Sequence, residues 1–169
     1  GAKYAVACVN GSSALQVALR VAGVGAGHEV IVPSLTFISP ISAVYHNGAI
    51  PIFMDADEFF NIDVQKVAEF LNLHADIRDD GCWNKRTGRK ISAVLPVHVF
   101  GNASDLRTLE DLSRQYQFTI IEDAAEGLGT RYTTGDLAGR HVGTIGQMGC
   151  LSFNGNKIIT AGGGGMVLT

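Results

Sequence analysis

Short apolar runs rich in Val and Ile alternate along this chain with longer stretches in which apolar residues return every three or four positions. The first pattern suits strands buried on both faces, and the second suits helices laid against them. Strands are expected near 4 to 9 (YAVACV), 29 to 33 (EVIVP), 50 to 54 (IPIFM), 91 to 97 (ISAVLPV), 118 to 122 (FTIIE), 149 to 153 (GCLSF) and 165 to 168 (GMVL). Ser12 or Ser13 can cap a helix running through Ala14, Leu15, Val17, Ala18, Leu19 and Val21 to about Gly23, which supplies a C-terminal stop. Further helices are expected over 39 to 47, ending at Asn47-Gly48, over 63 to 73, and over 104 to 116 with Ser104 or Asp105 as cap. The short connections suit βαβ units, so the pattern predicts an α/β fold: one domain over 1–169 with a seven-stranded, mostly parallel sheet flanked by helices.

The segment 74 to 90, HADIRDDGCWNKRTGRK, breaks this rhythm with Asp-Gly and Thr-Gly turn pairs and reads as an exposed loop or small hairpin. Trp83 within it could stack on a ligand or pack on the surface, and surface packing is the commoner role for a lone loop Trp.

Composition narrows the function classes. With 169 residues, 46% hydrophobic and 17% charged, the chain can bury one core but not two of ordinary size. A net charge of -3 argues against nucleic acid as partner, and the basic stretch Lys85, Arg86, Arg89, Lys90 reads as a solvated loop. No apolar run reaches the roughly 20 residues that span a bilayer, and the N-terminus lacks a signal-peptide pattern, so a cytoplasmic location is expected. Cys8, Cys82 and Cys150 are odd in number with no CxxC spacing, which favours reduced thiols. No His, Cys and carboxylate set has metal-ligand spacing, and no nucleophile elbow or Walker loop is present.

Three segments carry candidate chemistry. Asn10-Gly11-Ser12-Ser13 lies between a strand and a helix, where N–H groups and the helix dipole can hold a phosphate. Glu122-Asp123-Ala124-Ala125-Glu126 follows a strand and places carboxylates at the C-terminal sheet edge, where α/β folds bind ligands; Asp123 there is either a cap or a partner for a protonated ring nitrogen. Lys157 follows Ser152-Phe153-Asn154-Gly155-Asn156 and precedes a glycine-rich run; beside an electron sink and a phosphate cradle it becomes a candidate nucleophile.

In order along nearly the whole chain, NGSSAL, PSLTF, PVHVFG, EDAAEGLGT and SFNGNKIITAGGGG resemble the DegT/DnrJ/EryC1/StrS sugar aminotransferases, within the fold-type I pyridoxal-phosphate enzymes. The resemblance implies pyridoxal 5'-phosphate as cofactor, with Lys157 as the Schiff-base lysine and Asp123 paired with the ring nitrogen. Phe37 would stack on the ring, Ser12, Ser13 and Ser152 would contact the phosphate, and Glu126 would lie near the ring hydroxyl, where many members carry Gln or His. Glu at that position is similar to the perosamine and legionaminic-acid branch. It implies transfer of an amino group, from glutamate, to a nucleotide-linked 4-keto-6-deoxy sugar by a homodimer. His98, in PVHVFG, is expected to shape the site wall or satisfy a buried hydrogen bond. Family members are about twice as long, which implies that an N-terminal arm and a small C-terminal domain lie outside these residues. Two rival readings are a sugar dehydratase, which carries His in place of the lysine, and a non-catalytic remnant that binds the cofactor or a protein partner.

Overall fold

A computed structural model describes residues 1–169. Nine strands and four α-helices follow one another as β1 (Ala5–Cys8), α1 (Gly11–Val21), β2 (Glu29–Pro33), α2 (Ile38–His46), β3 (Ile50–Met54), α3 (Val64–His74), β4 (Ala75–Arg78), β5 (Gly81–Asn84), β6 (Arg89–Val94), α4 (Leu106–Tyr116), β7 (Thr119–Asp123), β8 (Met148–Ser152) and β9 (Gly165–Leu168). The main path of the sheet runs β1-β9-β8-β7-β6-β2-β3. Pairing is parallel from β3 through β8, and antiparallel where β9 joins β8 and β1. The expected α/β class and the seven-strand path hold. The two added strands are β4 and β5, an antiparallel hairpin that pairs through β5 with the start of β6, so the hairpin alternative for 74 to 90 is the one realised.

Period-2 alternation builds two cores, one on each face. Val30, Val32, Ala93 and Ile121 point to the α1–α2 side, where they pack with Leu15, Leu19 and Val44. Ile31, Val94 and Ile120 point the other way, onto Leu71 of α3 and Leu106 and Leu109 of α4. All five residues of β2 are buried, which explains why the strand has no polar face. Truncating a fully buried Leu such as Leu15 to Ala costs about 2–5 kcal/mol in such a core.

Two local expectations are corrected, the α1 cap and the end of β6, and the favoured surface role of Trp83 holds. The cap of α1 is Asn10 rather than Ser12 or Ser13: its Oδ1 accepts from the Ser13 N–H at 2.8 Å, so the helix starts at Gly11. Strand β6 ends at Val94, short of 97, because Pro96 has no N–H to continue the ladder; only Val97 still bridges to Asp123. Trp83 donates to Asp80 Oδ1 at 2.8 Å and lies under the Arg78 guanidinium, which places it on the hairpin surface away from the cleft.

The helix ends also position the site. Asn47, just past α2, donates to the carbonyls of Ala43 (2.9 Å) and Gln16 (3.1 Å), locking α2 to α1. The C-terminal ends of β2, β6, β7 and β8 therefore open at one edge of the sheet, beside the N-terminus of α1.

Candidate active site

At that edge lies a cleft of about 690 Å³, lined among others by Asn10, Gly11, Ser12, Thr36, Phe37, Asp123, Glu126, Ser152 and Lys157. Six of the seven residues expected at the site thus share one cavity. Ser13 is the exception: it does not line the cleft, and its N–H is already taken by Asn10.

Asp123 ends β7, 5% exposed, and the hydrogen bond to its carboxylate comes from the Ala125 N–H at 3.0 Å. Burial pushes its carboxyl above the ordinary range, against the opposing pull of that N–H and of Lys157. A buried carboxylate with so few partners is suited to a cation arriving in the cleft. Its neighbour Glu122 points to the opposite face, as strand alternation requires, and is fully buried. Glu122 accepts from the N–H groups of Gly143, Ile145 and Gly146 and stands 3.0 Å from His98 Nε2. Of these two adjacent carboxylates, Asp123 alone belongs to the site.

Lys157, its side chain 16% exposed, lies five positions beyond the end of β8 in a turn closed by its N–H to Asn154 O at 3.0 Å. Its Nζ is 3.2 Å from Glu126 Oε1, and Glu126 Oε2 accepts from the Phe100 N–H at 3.0 Å. Glu126 is thus held at both oxygens. Phe37, at the start of α2, lines the cleft and is 74% exposed.

Opposite the carboxylates, α1 presents its first turn. Ser13 and Ala14 donate to Asn10, whereas the Gly11 and Ser12 N–H groups have no acceptor in the protein. A Cβ on Gly11 would stand 2.9 Å from Ser152 Cβ, so only glycine lets the helix start lie against the end of β8. Thr36 Oγ1, also in the cleft wall, is buried without any hydrogen-bond partner.

These features fit pyridoxal phosphate. Unpaired N–H donors at a helix start suit its phosphate, a buried carboxylate suits its protonated ring nitrogen, and an amine in the same cleft suits its aldehyde. Thr36, Phe60 and Phe100 also line the cleft, and the sequence did not single them out. Phe60 (φ 68) and Phe100 (φ 53) reach the cleft from left-handed backbone that no residue type announces.

A Lys, a buried carboxylate and a helix start with free N–H groups meet at one edge of an α/β sheet, an arrangement suited to a phosphate-bearing cofactor with a cationic ring. The chain belongs to the DegT/DnrJ/EryC1/StrS aminotransferase family, whose model matches residues 1–169, and the cofactor of that family is pyridoxal phosphate. It is 38% identical over 170 residues to the GDP-perosamine synthase of Caulobacter vibrioides, covering 100% of this chain and 40% of the relative. Against the GDP-perosamine synthase of Escherichia coli O157:H7 it is 36% identical, covering 99% of this chain and 40% of the relative. A crystal structure of a DegT DnrJ EryC1 StrS aminotransferase from Brucella abortus superimposes with a TM-score of 0.86 at 31% identity, covering 100% of this chain and 42% of that one. The chain thus spans about 40% of the length of the curated relatives it matches. No helix is long and apolar enough to cross a membrane, and no group of His, Cys, Asp and Glu is placed to hold a metal.

Proposed function

We propose that the protein transfers an amino group, with glutamate as donor, to the keto carbon of a nucleotide-linked 4-keto-6-deoxy sugar, using pyridoxal phosphate held in this cleft. The observation that carries the reading is the meeting of Lys157, Asp123 and the α1 N-terminus in one cavity. The three GDP-perosamine synthases among its relatives support the nucleotide-sugar substrate class.

When bound, pyridoxal phosphate supplies an electron-poor ring that accepts the negative charge developing at a substrate carbon. Lys157 is its covalent attachment point, and Nζ as a free amine carries the proton that amine transfer moves. Asp123 keeps the ring nitrogen protonated; without a cation there, its own buried charge is unfavourable. The Gly11 and Ser12 N–H groups and the Ser152 hydroxyl would hold the phosphate, Phe37 would stack on the ring, and Glu126 would serve the ring hydroxyl. The exposed Phe37, Ile38 and Phe100 beside the cleft suit cover by a second copy, and a homodimer is part of the proposal. Lys157 disfavours the dehydratase alternative, which carries His at that position.

The test is a coupled assay on the full-length protein with glutamate and a panel of nucleotide 4-keto-6-deoxy sugars. Formation of 2-oxoglutarate together with an amino sugar is expected, and its loss in Lys157→Ala. A protein that binds the cofactor yet aminates no keto sugar would contradict the substrate assignment.

A further inference from the structure

The motif PVHVFG has no part in the proposed chemistry, yet its backbone runs between both cleft carboxylates. The His98 N–H donates to the Asp123 carbonyl at 3.0 Å, and two residues later the Phe100 N–H donates to Glu126 Oε2 at 3.0 Å. Phe100 does so from φ 53, ψ 22, a left-handed conformation that residues with a Cβ enter against steric opposition. Its ring offers no compensation from the interior, the residue being 78% exposed. The conformation is locked from both sides. Gly101 continues at φ 84, where a Cβ would stand 3.0 Å from the Glu126 carbonyl, and its own carbonyl accepts from Thr130 Oγ1 at 2.9 Å. Asn61 Oδ1 accepts from the Val99 N–H at 3.2 Å. Strain held this firmly beside a binding cleft points to use.

Glu126 needs such a tether. Its side chain is 40% exposed, and its only other partner is Lys157 Nζ at 3.2 Å. Once that amine is committed covalently, it no longer offers Glu126 an ammonium, and an untethered carboxylate at this exposure swings into solvent.

We infer that Phe100 is a positioning residue: its left-handed backbone aims one N–H at Glu126 and keeps that carboxylate at the cofactor ring whether or not Lys157 is free. The inference rests on the assignment of this cleft to pyridoxal phosphate. What matters at position 100 is backbone conformation, not the aromatic ring.

The experiment measures pyridoxal-phosphate affinity and the absorption maximum of the bound cofactor in the full-length protein. Phe100→Val keeps an apolar side chain and the N–H but resists the left-handed region. It should weaken binding roughly tenfold, the size of one lost hydrogen bond to a charged group, and shift the band in the same direction as Glu126→Ala. Phe100→Gly and Phe100→Asn, which tolerate that backbone, should recover most of the loss. The double variant Phe100→Val/Glu126→Ala should bind no more weakly than Glu126→Ala alone. Additive losses overturn the inference, as does Phe100→Gly losing as much as Phe100→Val, which would make the ring the active part. Should Phe100→Val fail to fold, Phe100→Ala, whose single Cβ also opposes the left-handed region, takes its place: it must lose affinity where Phe100→Gly does not, and lose none further in the Glu126→Ala background. If wild type yields no borohydride-stable pyridoxyl adduct, the cofactor assignment falls and this inference with it; an adduct with additive losses overturns this inference alone.

Discussion

His98 Nε2 stands 3.0 Å from Glu122 Oε2, with both side chains wholly shielded from solvent. Because His98 Nδ1 accepts from the Ser104 N–H at 3.1 Å, the ring proton sits on Nε2 and is donated to Glu122. The same carboxylate receives three N–H groups from 143 to 146. The pair therefore ties the loop after β6 and the loop before β8 to the end of β7, directly beside Asp123.

Removing this hub should be severe. Glu122→Ala leaves four donors without an acceptor and should cost about 3–5 kcal/mol. Glu122→Gln puts an NH2 where one oxygen accepted and should still cost about 1–3 kcal/mol. Urea unfolding of each variant reads these values directly. A Gln variant as stable as wild type would refute the donor and acceptor roles assigned to this cluster.

Asp123 gives a pH-dependent signature. Burial raises its carboxyl above the ordinary range, so the folded chain holds this proton more tightly than the unfolded one. Ionisation then removes stability as pH rises from the unfolded carboxylate range through the raised folded value. Asp123→Asn escapes this loss. Without cofactor it should melt above wild type at about pH 7, with the gap closing towards about pH 4. With cofactor the order should reverse, since only wild type supplies a charge for the ring nitrogen. Calorimetry with and without pyridoxal phosphate checks both halves, and an unchanged order on adding cofactor would remove Asp123 from its assigned role.

Much of this arrangement was legible in the sequence because strands and helices here obey simple periodicities. The Val- and Ile-rich runs became the seven-strand path, and the five ordered motifs carried Lys157, Asp123, Glu126, Phe37, Ser12 and Ser152 to one cleft. What was not legible depended on three-dimensional hydrogen bonding. Asn10 rather than either serine is the cap because it holds the last extended backbone position before the helix, from which its Oδ1 meets the Ser13 N–H, while Ser12 and Ser13 already lie within the first turn. The division of labour between Glu122 and Asp123 follows from strand alternation, but its meaning needs the 143 to 146 loop, which is remote in sequence. Left-handed Phe60 and Phe100 are set by tertiary ties such as Asn61 to Val99.

The thiols should be quiet in the native protein. Burial pushes Cys82 up to about 11 and raises Cys150 as well, while Cys8 is only half-buried. Titration with an aromatic disulfide reagent at mildly alkaline pH should modify Cys8 first and the other two only on unfolding. Rapid modification of Cys82 or Cys150 in folded protein would contradict the packing described.

The close approach of α1 to β8 predicts a phosphate-specific defect. In Gly11→Ala the new Cβ would press on Ser152 at 2.9 Å, pushing the helix start out of register with the serine. Binding of pyridoxal phosphate should weaken roughly tenfold, as one displaced charge-assisted hydrogen bond implies. Pyridoxal, which lacks the phosphate, should bind variant and wild type alike. Equal losses for both compounds would show that the helix start is not the phosphate cradle.

Covalent capture of pyridoxal phosphate by Lys157 within this cleft is the claim on which the proposed function stands. Its most direct test is borohydride reduction of the full-length protein loaded with pyridoxal phosphate, followed by peptide mapping by mass spectrometry. One stoichiometric pyridoxyl group is expected, on the peptide containing Lys157. A label on Lys66, Lys85 or Lys90 instead, or none at all, would contradict it.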